Sequence, residues 1–187
     1  MVTNYREPGV VTGGRRSRGE LVVDFLSSST PAEAWMDGLA ERRIEYGGFN
    51  LVIGEGDQLH YLTNRGEGHR FLKPGIYGLS NCRLDTPWPK VVAARSGLRL
   101  VIHEDRVDSD ALFNLLSDRT PAQDDELPHT GVPLEWERAL SATFIDGPEY
   151  GTRASTVVRI DAESGVEFAE RRFGPNAEFA GESRFSL

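Results

Sequence analysis

The sequence predicts an α+β protein with largely antiparallel sheets. Three observations carry this: two apolar runs opened by N-capping patterns, strand-length apolar runs split by short Gly- and Asp-rich turns, and helices and strands grouped in blocks without βαβ alternation. A chain of 187 residues suffices for one domain with its own core. No internal repeat, low-complexity tract or linker divides it, so a single domain over 1–187 is expected.

Ser17-Arg18-Gly19-Glu20 has the Ser-x-x-Glu pattern of a capping box, in which N-cap and third residue satisfy each other's backbone donors, and it opens a helix through Leu26. Thr30-Pro31-Ala32-Glu33 repeats the pattern with Pro at the first helical position, and Ala34, Trp35, Leu39 and Ala40 give that helix one apolar face to about Arg43. Gly47-Gly48 stops it. Residues 49–52 and 59–62 read as strands joined through the turn-rich 54–58, and 75–79 as a third strand of the meander. Pro87 and Pro89 precede an amphipathic segment over 90–104, and Asp108 or Ser109 caps another through Leu116. The polar stretch 118–133, with Pro121, Pro128 and Pro133, is a surface loop. A short element over 134–140 follows. The clearest hairpin joins 155–160 to 166–173 through Asp161-Ala162-Glu163-Ser164-Gly165, and 179–185 adds an edge strand.

Composition narrows the function classes. Charged residues make up 27% of the chain and mean hydropathy is -0.40, and no run reaches the roughly 20 apolar residues of a spanning helix, which argues against membrane insertion. The first residues lack the apolar core of a secretory signal, which predicts a cytoplasmic location. A net charge of -8 repels phosphate backbones and so argues against nucleic acid as a partner. Only Lys73 and Lys90 are Lys among 21 basic residues, the Arg bias of a GC-rich prokaryotic genome or a salt-adapted proteome.

Few residues carry reactive chemistry. Cys82 is the sole cysteine, excluding an internal disulfide, and its neighbours Asn81 and Arg83 supply a cation but no base, so it reads as structural. His60, His69, His103 and His129 show no metal-binding spacing, and no metal site is expected. Gly54-Glu55-Gly56-Asp57 sits between strands and is a turn, not a phosphate loop. Arg15, Arg16 and Arg18 flank a helix start, where they form either a solvated basic loop or an anion site. Two denser segments stand out at strand ends: 77–90, and 150–158 with Arg153, Ser155 and Thr156.

These segments belong to a longer pattern. Thr3-Asn4-Tyr5-Arg6, Ser17 to Val22, Phe49-Asn50-Leu51-Val52-Ile53, Thr63-Asn64-Arg65, Gly75-Ile76-Tyr77-Gly78-Leu79-Ser80-Asn81, Leu84-Asp85-Thr86-Pro87-Trp88-Pro89-Lys90-Val91 and Tyr150-Gly151-Thr152-Arg153-Ala154-Ser155-Thr156-Val157 occur in order across nearly the whole chain. Together they resemble the Transport and Golgi organisation 2 family, also called the NRDE family. That family looks related to N-terminal-nucleophile hydrolases, and the resemblance implies their αββα four-layer sandwich. It also implies an amide-attacking residue at the mature N-terminus. Family members begin Met-Cys and carry an Asn-Arg-Asp-Glu segment soon after; this chain shows neither and opens at Thr3, in a later strand of the pattern. The expectation is an incomplete domain with on the order of 60 residues and the first hairpin missing upstream.

By motif position, the resemblance makes Asn81 a candidate oxyanion or substrate-amide partner and Arg153 a candidate holder of a carboxylate, propionate or thiolate. Thr3, Asn4, Arg18, Ser80 and Ser155 complete the candidate ligand-binding set. The implied function is handling of a small amphipathic molecule, haem or an acyl compound, without catalysis by this chain and with no required cofactor. The alternative is an amidohydrolase acting on C–N bonds whose cysteine nucleophile lies upstream of residue 1.

Overall fold

The computed structural model describes residues 1–9, 16–66, 68–161 and 165–187. They form two compact units, Met1–Thr86 and Pro87–Leu187, each with one antiparallel sheet and its own helices, as the α+β reading expected.

In the first unit β1 (Val2–Asn4), β2 (Phe49–Glu55), β3 (Gln58–Thr63) and β4 (His69–Leu72) follow in that order across the sheet. The two-residue turn between β2 and β3 contains Gly56 at φ +61°. Alternation along β2 sends Phe49, Leu51 and Ile53 to one face, where α1 (Arg18–Leu26) and α2 (Ala32–Arg42) pack Leu21, Trp35, Met36 and Leu39 against them. Asn50 and Val52 point to the opposite face, with Tyr61 of β3, Leu72 and Leu84. Buried on both faces, β2 is the centre of the unit.

The first capping box forms as the sequence dictates: Ser17 Oγ accepts from Gly19 N and Glu20 Oε1 from Ser17 N. The second does not. The N-cap of α2 is Pro31, and Ala32 N instead donates to the Glu55 carboxylate, 3.1 Å away at the end of β2. The third strand is likewise displaced. Residues 69–72 pair with β3, whereas 75–79 form no strand, because Gly78 is engaged by Asp85 through both its N–H (2.8 Å) and its carbonyl (2.7 Å).

In the second unit α3 (Pro89–His103) and α4 (Ser109–Leu116) pack together, with Asp108 as the N-cap of α4. Residues 118–133 carry only a short 3-10 turn over Asp124–Glu126, and α5 (Leu134–Ala139) follows. The sheet runs β5 (Ala154–Asp161), β6 (Gly165–Phe173), β7 (Phe179–Ser186). Residues 162–164 of the expected turn lie outside the described residues. Phe113 of α4 is buried against Val157 and Ala169, and Asp110 receives Arg171 and Arg184 from that sheet face. Lys90 Nζ donates to the carbonyls of Leu140 (2.8 Å) and Ala142 (3.4 Å), satisfying acceptors at the end of α5. Among the described residues no helix is long and apolar enough to cross a membrane.

Candidate functional site

The sheet face of the first unit opposite its helices is where the polar residues of the sequence motifs meet. Asn50, a polar residue inside an apolar strand, is fully buried there and completely paired. Its Nδ2 donates to Thr3 Oγ1 (3.1 Å) and to the Cys82 carbonyl (2.9 Å), and its Oδ1 accepts from the Tyr61 hydroxyl (2.8 Å). The same Tyr61 oxygen accepts from Leu84 N at 3.1 Å. Two side chains thereby fasten the segment 80–84 across the sheet.

Thr3, Asn4, Ser80 and Asn81 come together beside this network. Thr3 Oγ1 donates to the Ser80 carbonyl at 3.3 Å, and Asn81 Nδ2 donates to Asn4 Oδ1 (2.6 Å) and to the Asn4 carbonyl (3.1 Å). Arg6 N donates to the Asn81 carbonyl at 2.6 Å. Next to it, the Tyr5 hydroxyl lies 3.3 Å from Cys82 Sγ. Burial pushes the thiol up, but hydrogen bonds from Thr86, Tyr5 and the Arg83 amide, with the Arg83 charge, outweigh it and hold Cys82 below its usual range. The hydrogen bond to Cys82, with burial, raises Tyr5 in turn, so the pair gives up its first proton from sulfur.

The edge of the site is a clamp. Arg65 grips Glu7 through Nε and Nη2 (2.6 and 2.5 Å), and Glu7 Oε1 also accepts from Gly48 N. The Arg65 hydrogen bond and charge hold the Glu7 carboxyl below its ordinary range despite partial burial. Arg18 donates to the Gly48 carbonyl at 2.9 Å, so it meets the site as a backbone brace. Arg16 reaches Glu20 and Asp24, with Glu45 at 3.7 Å, and is therefore bound up with carboxylates and not presented to an external anion. Arg15 lies outside the described residues.

On the same face a cavity of about 400 Å³ is lined by Tyr61, Thr63, Arg70, Arg83 and Leu84 together with Gly66 and Gly68. The Arg70 guanidinium lies over the Tyr61 ring, 5.4 Å from its centroid, and Arg83 Nε donates to the Arg65 carbonyl. The cavity thus offers two guanidinium groups, a threonine hydroxyl and an aromatic wall. Asn50, Tyr61 and Arg70 were not singled out by sequence; the usable signal was one amide within the apolar run Phe49 to Ile53.

Arg153 and Ser155 belong to the second unit. Arg153 is exposed and reaches the Glu149 carbonyl at 3.4 Å, while Ser155 is buried in β5.

The chain is similar to known proteins over most of its length. A model of the Transport and Golgi organisation 2 family covers residues 1–175. The Transport and Golgi organization protein 2 homolog of Bos taurus is 34% identical over 184 residues, covering 91% of this chain and 66% of its own length. With the same coverage, the Homo sapiens homolog is 32% identical and that of Mus musculus 30%. The chain spans about two thirds of the length of these relatives. On the extent of these matches, the chain belongs to the Transport and Golgi organisation 2 family.

Proposed function

We propose that this protein handles a small amphipathic molecule non-covalently, holding its anionic end in the cavity between Arg70 and Arg83. The observation that carries the reading is that cavity: two guanidinium groups and an aromatic wall are suited to a carboxylate attached to an apolar body. Its volume of about 400 Å³ is at the small end of ligand sites. It therefore takes the charged edge of a large ligand, with the apolar remainder outside. Haem, with two propionates on an apolar macrocycle, is the leading cargo by family resemblance, and an acyl compound is the second. Within this reading Thr3, Asn4, Ser80 and Asn81 form a polar rim, with Asn81 offering an amide that a bound carbonyl would share with Asn4.

The test is a titration of the full chain with haem, read at the Soret band. Saturable binding that weakens about tenfold in Arg70→Gln and Arg83→Gln, with unchanged melting, supports the reading. Equal affinity in both variants removes it. The competing amidohydrolase reading is separated by assaying protein extended upstream for amide hydrolysis, which under that reading is lost on replacing the upstream cysteine by serine.

A further inference from the structure

The Tyr-Gly-Thr-Arg segment of the second unit folds into a closed turn. Thr152 N donates to the Ile145 carbonyl (2.8 Å) and Ile145 N to Thr152 Oγ1 (2.9 Å), while a Cβ on Gly151 would come within 2.9 Å of that carbonyl. The turn places Tyr150 against Trp136 of α5, ring centroids 5.5 Å apart and planes at 73°. Neither ring is buried: Tyr150 is 54% exposed and Trp136 46%. A cavity of about 300 Å³ lies against the pair, lined also by Ala139, Ile145, Pro148 and the acidic residues Glu135, Asp146 and Glu149.

We propose that this pocket binds an alkylammonium group. Two near-perpendicular aromatic rings make a corner whose π-faces attract a cation, and the apolar Ala139, Ile145 and Pro148 suit its methyl groups. The charges fit as well. No lining residue among those described is basic, and Arg138 is held away by Asp124 through two hydrogen bonds; Arg119 pairs with Asp146 at 2.9 Å and Arg153 reaches only the Glu149 carbonyl, so the Glu135 and Glu149 carboxylates supply the negative charge. Hard metal ions and primary ammonium groups demand a shell of oxygens or water, which apolar walls do not replace. A quaternary or N-methylated nitrogen sheds its water cheaply and suits a wall of rings with carboxylates beside it. The volume accommodates a head group and little more, so the cation is either a free small molecule or the choline head of a lipid.

The experiment is a titration of the full chain with choline chloride, following tryptophan fluorescence. Trp35 and Trp88 are each 8% exposed, so the response reports Trp136. The expected result is a saturable change absent with equal sodium chloride and at least about tenfold weaker with choline's neutral carbon isostere, in which a quaternary carbon replaces nitrogen. Tyr150→Ala, with Trp136 still present, should weaken binding about tenfold, and Glu149→Gln about threefold, at unchanged melting temperature. A response equal to that of sodium chloride, an isostere that binds as well as choline, or a well-folded Tyr150→Ala with full affinity overturns the proposal. Flotation with phosphatidylcholine but not phosphatidylglycerol vesicles identifies the lipid head as the source. Binding of free choline without flotation identifies the free cation.

Discussion

The Tyr61 hydroxyl donates a hydrogen bond to Asn50 Oδ1 at 2.8 Å while its oxygen accepts one from the Leu84 amide at 3.1 Å, so a diagonal pair on adjacent strands sets the position of the segment above them. In surroundings this dry, every member of the network depends on the others, since a partner left unpaired pays the full desolvation cost.

Asn50→Ala removes three hydrogen bonds and strands the Tyr61 hydroxyl and the Cys82 carbonyl; the expected loss is about 2–4 kcal/mol. Tyr61→Phe should cost less, about 1–2 kcal/mol, and the double variant less than the sum because the two act as a unit. Urea unfolding of the three variants checks the coupling. Strict additivity would show that the network carries no shared energy.

Cys82 should alkylate at lower pH than an unperturbed thiol. Its folded value is depressed, so thiolate formation adds stability that is complete above the unfolded value of 9.0 and is lost as pH falls through the folded one. Tyr5→Phe deletes one of the hydrogen bonds responsible and should move the midpoint of the iodoacetamide pH–rate profile upward. An unmoved midpoint assigns the shift to Arg83 and Thr86 alone.

Glu7 is likewise depressed, by Arg65. The stabilisation it contributes is present above the ordinary carboxylate value of 4.5 and disappears as pH falls through the folded value. Wild type should exceed Glu7→Gln by about 1–2 kcal/mol at about pH 7, and the two denaturation midpoints should converge by about pH 2. Parallel curves across that range would mean that the carboxylate charge does not contribute.

Gly48→Ala should destabilise by about 1–3 kcal/mol, because a Cβ there would stand 2.5 Å from Glu7 Oε1 and 2.8 Å from Tyr5 Cβ. Replacing Glu7 by Ala as well should recover only part of the loss, since the Tyr5 contact is set by backbone. Thermal melts of the single and double variants measure both terms.

What was legible in the sequence was what is local. The Ser17–Glu20 box, the cap expected at Asp108 or Ser109 and found at Asp108, and the hairpin expected over 155–173 each close locally, and each formed within a residue of where pattern placed it. Thr30 failed as a cap because a competing acceptor, Glu55, arrives from the far end of a strand, a contact without any spacing signature. The strand expected over 75–79 failed for a similar reason, since Asp85 holds Gly78 from seven residues away. Residues of the family motifs, among them the ligand candidate Arg18, also proved to have structural duties. Asn64 Nδ2 serves the carbonyls of Arg43, Tyr46 and Gly47, and Arg18 braces Gly48. The cavity near Arg70 and Arg83 depends on a register that brings Tyr61 opposite Arg70, and register is invisible until the strands are paired.

The Lys90 cap on the end of α5 also decides how the protein can be handled. With just two lysines in the sequence and Lys90 Nζ occupied by the Leu140 and Ala142 carbonyls, the exposed Lys73 becomes the lysine open to amine-directed reagents. Coupling through lysine to a sensor surface, a biotin or a fluorophore should therefore fall on Lys73, just beyond β4, with the Met1 α-amine, whose pKa burial lowers, as the competing attachment point.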